Sequence, residues 1–503
     1  MKKRVLSLFL AFTLCFSMLP TAALAEEAGV VQDAANANST YTTDENAGLT
    51  GGKDGSVPDG TDGGDADSSG EAQDGEADTA VSAVQGASHA SHCVCGKNSS
   101  TTVNGHEHDS AVTAWNAADS LPDSAGSYYL TQSVSGDWIV PTGEVNLCLN
   151  GQTISGSITV GSGATLTLTD CSSDNSGKIQ GGVTVNGGKF ELYSGTITGG
   201  VQVGIKGITY QTGSSFTMYG GAITGNKTDS GSGGGVFLVG TTNQTDPPSF
   251  TMHGGTISNN TAGASDGGGG GVYVGETCSF TMDGGTITGN TATAGNGGGI
   301  YIHFNAGNVS ISNATITGNK ASATRNTGYG HGGGIYSQRG VTVKNVTITG
   351  NNSTYEGGGI YGKGAITLTD ATVTDNNHYD VYYDGAEKTT PELTVSGSVQ
   401  AGYYANYKWK LPILVSGELS ADSVIRVGVL EDMKPNAGGS LLIAEPASGV
   451  TLRAENFKAD AADSETSLGT DGQGLSCALH ARDGRYRLHL QEVPYAIRRA
   501  RGR

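Results

Sequence analysis

Short apolar-x-apolar pairs recur along the chain, each interleaved with small polar residues. They are Leu147/Leu149, Leu166/Leu168, Phe190/Leu192, Phe216/Met218, Phe250/Met252, Phe280/Met282, Val309/Ile311, Val341/Val343, Ile366/Leu368 and Leu393/Val395. Alternation with a period of two puts the apolar set on one face of a strand and the polar set on the other. Neighbouring pairs lie 19 to 34 residues apart. In the middle units a second apolar position follows, at Ile197, Ile223, Ile257, Ile287, Ile316, Ile348 and Val373. A third element, Gly-Gly-Gly-Val or Gly-Gly-Gly-Ile, precedes the next pair at Val236, Val272, Ile300, Ile335 and Ile360. Three short strands per unit describe one triangular coil, and a lone coil cannot bury its inner face. Coils stacked about 4.8 Å apart bury it between neighbours and pair the backbone above and below. The pattern predicts an all-β fold, a right-handed parallel β-helix of roughly ten coils over 131–400, followed over 401–503 by a β-rich cap and basic tail.

The corners carry their own signals. Gly254-Gly255, Gly284-Gly285 and the triplets at 297–299, 332–334 and 357–359 fall where the chain must change face, at positions suited to φ > 0 or close backbone approach. Asn226, Asn260, Asn290, Asn319, Asn351 and Asn376 each stand three residues after the second-strand Ile or Val. At equivalent corners they stack into an amide ladder, each bonding the next coil; the other reading is that Asn is simply a good turn former. Two other solenoids fail on the residues. Calcium-binding nonapeptides need an Asp after the glycines, and 267–274 reads Gly-Gly-Gly-Gly-Gly-Val-Tyr-Val. A hexapeptide helix needs a six-residue period that the variable units lack.

The segment Phe-Thr-Met-Asp-Gly-Gly-Thr-Ile-Thr-Gly-Asn at 280–290, with variants at 216–226 and 250–260, resembles the parallel β-helix repeat of surface proteins from Gram-positive gut bacteria. The Gly-Gly-Gly-Val/Ile and Ile-x-x-Asn combination is also similar to the repeat pair of chlamydial polymorphic outer-membrane proteins, with Ile where that family has Phe. The resemblance spans residues 89–460 and takes in His92-Cys93-Val94-Cys95-Gly96, Trp115 and Leu147-Cys148-Leu149-Asn150-Gly151. It implies an adhesin or a carbohydrate-contacting surface protein.

The amino terminus changes where such a protein is expected to work. Lys2, Lys3 and Arg4, an apolar run from Val5 to Leu19 and the ending Ala23-Leu24-Ala25 read as a signal peptide over 1–25, so the mature chain is expected to be secreted or at the cell surface. The run is too short for a bilayer span of about 20 residues, and no later segment is longer, so no transmembrane segment is expected. Without those three basic residues the formal charge of −19 becomes −22, which argues against nucleic acid as a partner. Residues 26–80 hold 14 acidic groups and Lys53 alone among Gly, Ser and Ala, so 26–88 reads as an acidic disordered linker. Its Asp-Gly pairs lack the spacing and closing Glu of an EF-hand.

Candidate chemistry is sparse. The small segment 89–130 holds His89, His92, Cys93, Cys95, His106 and His108, in which Cys93, Cys95, His106 and His108 form a candidate structural zinc site; a disulfide is the competing reading in an oxidising compartment. Cys148 and Cys171 end strands in successive coils, where they either cross-link or remain buried thiols, and Cys278 suits a small apolar role. Polysaccharide-cleaving β-helices need clustered carboxylates. Here Asp283, Glu276, Arg325, Arg339, Lys344 and Glu356 are scattered singly over different coils. No catalytic residue is assigned, and a polysaccharide lyase or glycoside hydrolase is the alternative to a non-catalytic adhesin. Tyr273, Tyr301, Tyr336 and Tyr361 recur after the glycine corner, either as an outward row able to stack on sugars or as a packing stripe between coils. The insertions at 239–250 and 319–332 are expected to project. The expected partners are extracellular glycans or surface proteins, bound by a monomer.

Overall fold

The computed structural model describes residues 115–205, 213–240, 245–265, 267–323, 329–385, 392–405, 412–429 and 440–459, and short strands at 101–103, 106–108, 476–482 and 485–491. Residues 1–25, read above as a signal peptide, residues 26–88, read as a linker, and Cys93 and Cys95 lie outside these residues, as do 241–244 and 324–328 within the two insertions.

Strands stack in parallel ladders, and the chain is a parallel β-helix solenoid. The first ladder, here face 1, carries the predicted apolar pairs from Leu166/Leu168 onward in register: Phe190, Phe216, Phe250 and Phe280 lie opposite one another in consecutive coils, as do Leu192, Met218, Met252 and Met282. The expected first pair Leu147/Leu149 is corrected by two residues: Val145 and Leu147 lie opposite Leu166 and Leu168, and Leu149 is buried just beyond the strand end. Face 2 carries Ile197, Ile223, Ile257, Ile287, Ile316, Ile348 and Val373 in one row. Face 3 carries Val201, Val236, Val272, Ile300, Ile335, Ile360 and Val381. All of these rows are buried and belong to one continuous core. Inside it the four phenyl rings stack at centroid separations of 4.7–5.2 Å.

The stack runs past the ten coils at both ends. Asn116–Ala118 and Gly126–Leu130 pair in parallel ahead of Gly143–Cys148, and Trp138 is buried near them with its indole N–H donating to the Pro122 carbonyl at 2.9 Å. At the other end Ile413–Leu419 and Ser440–Pro446 prolong face 1. Ser476–Arg482 and Arg485–Gln491 then reverse direction and pair antiparallel. An antiparallel hairpin covers a parallel edge that would otherwise offer unpaired backbone groups.

Between faces 2 and 3 the middle coils carry a short arm, with paired strands at Lys227–Thr228, Thr261–Ala262, Thr291–Ala292, Lys320–Ala321 and Asn352–Ser353. The return from the arm needs glycine. Gly297 has φ +67°, and a Cβ there would meet the Ile300 carbonyl oxygen at 2.4 Å, so a β-branched residue is excluded twice over. The entry to the arm needs asparagine. Each side-chain N–H of the row 226, 260, 290, 319, 351 donates to the amide oxygen of the next Asn at 2.5–3.0 Å. That oxygen also accepts the backbone N–H of the preceding Asn. The second side-chain N–H returns to the Ile carbonyl one coil back, as from Asn290 to Ile257 at 2.9 Å. The amide ladder is therefore present, buried and almost saturated. At its first rung, the Asn226 amide oxygen is buried without a hydrogen-bond partner.

An interior rung and the first rung should respond differently. Asn290→Ala removes the acceptor of two Asn260 donors and the donor to Ile257, and is expected to cost about 2–4 kcal/mol in urea unfolding. Asn226→Ala also deletes an unsatisfied oxygen and is expected to cost clearly less; equal losses would contradict a directional ladder.

Candidate functional site

The arm stops at one coil, and the step it leaves is the candidate site. Where earlier coils return through a glycine triplet, this one has Asn376, Asn377, His378, Tyr379 and Asp380. Asp375, His378 and Tyr379 take positive φ values of 59°, 48° and 73°, a region in which bulky residues are uncommon and held only by their surroundings. In the next coil Gln400–Ala405 pairs with both Thr372–Thr374 and Val381–Tyr383, so faces 2 and 3 merge into one strand and no arm is built. A cleft of about 480 Å³ opens at this step, lined by Asp375, His378, Tyr379, Asp380, Tyr403 and Arg426 among others.

Asp380 closes the asparagine ladder. Its Oδ1 accepts the backbone and side-chain N–H of Asn376 at 3.0 and 3.1 Å. Its Oδ2 accepts the Gly402 N–H at 3.1 Å and Arg426 Nη2 at 3.0 Å. With four donors on a buried carboxylate the charge is compensated in place. Its part is to anchor the cleft floor, and both oxygens are engaged in doing so.

Tyr379 is the aromatic wall. Its ring stacks on Tyr404 at 3.9 Å and 15°, and 36% of the residue remains exposed. Tyr404 in turn is the last ring of a row built on face 3: Phe237, Tyr273, Tyr301, Tyr336, Tyr361, Tyr382 and Tyr404, with centroids 4.9–5.8 Å apart. Tyr301, Tyr336, Tyr361 and Tyr382 are 3–4% exposed. Of the two readings open for 273, 301, 336 and 361, the packing stripe between coils is the one the rings adopt, with their faces meeting one another. Tyr379 and Tyr404 escaped the sequence reading because they follow no glycine triplet. The signal was the Val-Tyr-Tyr of 381–383, which aligns with Ile-Tyr-Gly at 360–362 and continues the row past its last glycine.

Burial sets the titration of this row. It pushes Tyr336 up to about 12 and raises Tyr361 and Tyr382 above the ordinary tyrosine value, as it does for Tyr403, which is fully buried in the inner core. Tyr361 donates its hydroxyl proton to Asp384, and Tyr403 donates to Glu392 at 3.2 Å. His331 lies 4.5 Å from the Tyr361 ring and its Nδ1 pairs with Glu356 at 3.0 Å, and this close contact holds the Glu356 carboxyl below the usual range.

Of the scattered charges, Asp283, Glu276, Arg339 and Glu356 each have a local partner of their own. Asp283 binds His253 at 2.7 Å at the end of a Tyr193–Tyr219–His253 stack, and Glu276 accepts from Asn305 at 2.9 Å. Arg339 donates to the Gly307 carbonyl at 2.7 Å, and Lys344 is an exposed strand end. Arg325 lies outside the described residues.

Of the proposed zinc ligands, Cys93 and Cys95 fall outside the described residues. His106 and His108 sit on a strand paired antiparallel with 101–103. Among the described residues no group of three or more His, Cys, Asp or Glu side chains is placed to hold a metal ion, and no helix is long and apolar enough to cross a membrane. Comparison with protein-family models, curated proteins and solved structures gave no match.

The tyrosine row makes alkaline pH a test of its closure. Because the folded state holds these phenols neutral, their stabilisation is complete below about pH 10 and is lost as pH rises above it. Tyrosinate absorbance is therefore expected to appear together with loss of the β-sheet circular dichroism signal; smooth ionisation of the whole set with the β signal intact would contradict the packing described.

Proposed function

We propose that this chain is a secreted or cell-surface β-helix protein that binds glycans without cleaving them, and that it does so at the cleft where the arm ends. The observation that carries the reading is Tyr379, a partly exposed ring backed by Tyr404 and set beside polar groups in a cleft of about 480 Å³. A flat apolar ring face with hydrogen-bonding groups around it suits a sugar, which offers C–H patches on one side and hydroxyls at its edge. Asp375 and His378 line the same cleft and supply polar contacts to hydroxyls. The backing matters as well, since a ring already stacked loses little freedom when a ligand covers it. The resemblance of the repeat to surface proteins of Gram-positive gut bacteria agrees with this role and with export through the signal peptide.

Glycan-array screening followed by calorimetry on the best ligand tests the proposal. Tyr379→Ala is expected to weaken binding about tenfold or more while leaving the urea midpoint near that of the parent chain. Undiminished binding by that variant would overturn the reading. Turnover of an extracellular polysaccharide, seen as new reducing ends or unsaturated products and abolished by Asp375→Asn, would replace it with the hydrolase or lyase alternative.

A further inference from the structure

Far from the cleft, at the amino-terminal end of the stack, two cysteines on consecutive coils face each other. Cys148 ends the strand Gly143–Cys148, which pairs in parallel with Ala164–Thr169 so that Cys148 lies opposite Thr169. The next rung of that ladder is the Leu149 N–H on the Thr169 carbonyl at 2.8 Å. Cys171 stands two residues beyond, and its sulfur is 2.7 Å from that of Cys148. Two sulfur atoms that share no bond settle at roughly 3.5 Å or more, so this spacing is one that a covalent bond completes and two thiols oppose.

The placement of Cys171 does not depend on the sulfurs. Its neighbour Asp170 is 1% exposed and ties three coils together. Oδ1 accepts the Gly151 N–H of the preceding coil at 2.8 Å, and Oδ2 accepts the Ser172 hydroxyl and the Gly177 N–H of its own turn at 2.8 and 2.7 Å. Its backbone N–H and carbonyl both bond the Ser194 hydroxyl of the following coil, at 2.6 and 2.9 Å. The turn is thus built to hold the Cys171 backbone over Cys148. Cys148 is fully buried, whereas Cys171 is half-buried and open to a reagent.

We propose that Cys148 and Cys171 form a disulfide that staples these two coils, installed by exchange with a small-molecule or protein disulfide. The Cys171 thiolate attacks one sulfur of that disulfide and expels the other half as a thiol. The Cys148 thiolate then attacks the Cys171 sulfur of the mixed disulfide and expels the second half. Two protein thiols and one external disulfide thus become one protein disulfide and two external thiols. Cys278 provides an internal contrast, since it is fully buried on a middle coil and burial pushes its thiol up to about 12. The staple is independent of the glycan reading and stands or falls without it.

The full chain, purified and exposed to oxidised glutathione, is denatured, alkylated without reduction and digested with trypsin. The peptide 98–178 contains Cys148 and Cys171 and no other cysteine. It is expected to carry no alkyl group and to be lighter by two hydrogens, while the peptide holding Cys278 is alkylated. Reductant is expected to lower the urea midpoint of the parent chain. Cys148→Ser and Cys171→Ser are each expected to match the reduced chain, with the double variant no worse than either. Full alkylation of both cysteines after exposure to oxidised glutathione would overturn the proposal, as would a midpoint unaffected by reductant. Additive losses in the double variant would do the same, because they would mark two separate packing roles.

Discussion

The structure depends on one constraint: through the middle coils each strand residue lies directly above its counterpart in the next coil, held in register by the backbone hydrogen bonds. A residue type therefore has to be compatible with a copy of itself at strand spacing. Phe on Phe, Ile on Ile and Tyr on Tyr satisfy this by packing, and Asn on Asn satisfies it by hydrogen bonding, because an amide is donor and acceptor at once. A like-charged ladder would repel along its whole length. This accounts for a chain only 15% charged in which the outward positions of the strands are mostly Thr, Ser and Asn.

The same constraint explains why the candidate site sits where it does. A periodic surface repeats every contact and so distinguishes no position from the next. Distinct chemistry appears where self-stacking is interrupted, and the clearest interruption is the coil at 375–380, which loses its glycine return. There a carboxylate replaces an amide at the end of the ladder, a guanidinium from a later coil compensates it, and a tyrosine is left partly uncovered in a strained backbone conformation.

Periodicity made the fold readable from the chain, and loss of periodicity made the site hard to read. The apolar pairs from Leu166/Leu168 onward, the second-strand Ile row and the asparagine corners were placed correctly, because each recurs in register and each recurrence corroborates the others; at the end of the repeat, where only one neighbour constrains it, the pair Leu147/Leu149 was set two residues late. The strands at 116–130 were not counted as a coil, and those at 413–419 and 440–446 were expected as a β-rich cap rather than as further parallel coils, because none of them has the glycine corners that flag a unit. Tyr379, Asp380 and Arg426 were missed for a deeper reason. Arg426 reaches Asp380 from 46 positions away, and only the folding of two faces into one strand brings them together. The tyrosines 273, 301, 336 and 361 allowed two readings from the chain alone, because a repeat shows that residues stack but not whether their faces are covered; the rings pack on one another.

The asparagine ladder has a direction, with a bare acceptor at residue 226 and a charged terminator at residue 380. Its inner rungs, by contrast, are interchangeable, each offering the same donors and acceptors to its neighbours. Gene-level duplication or loss of a whole middle unit would leave both termini of the ladder intact. Such a molecule can change its reach in steps of one coil while the end bearing the cleft is inherited unaltered, so length and recognition are free to evolve separately.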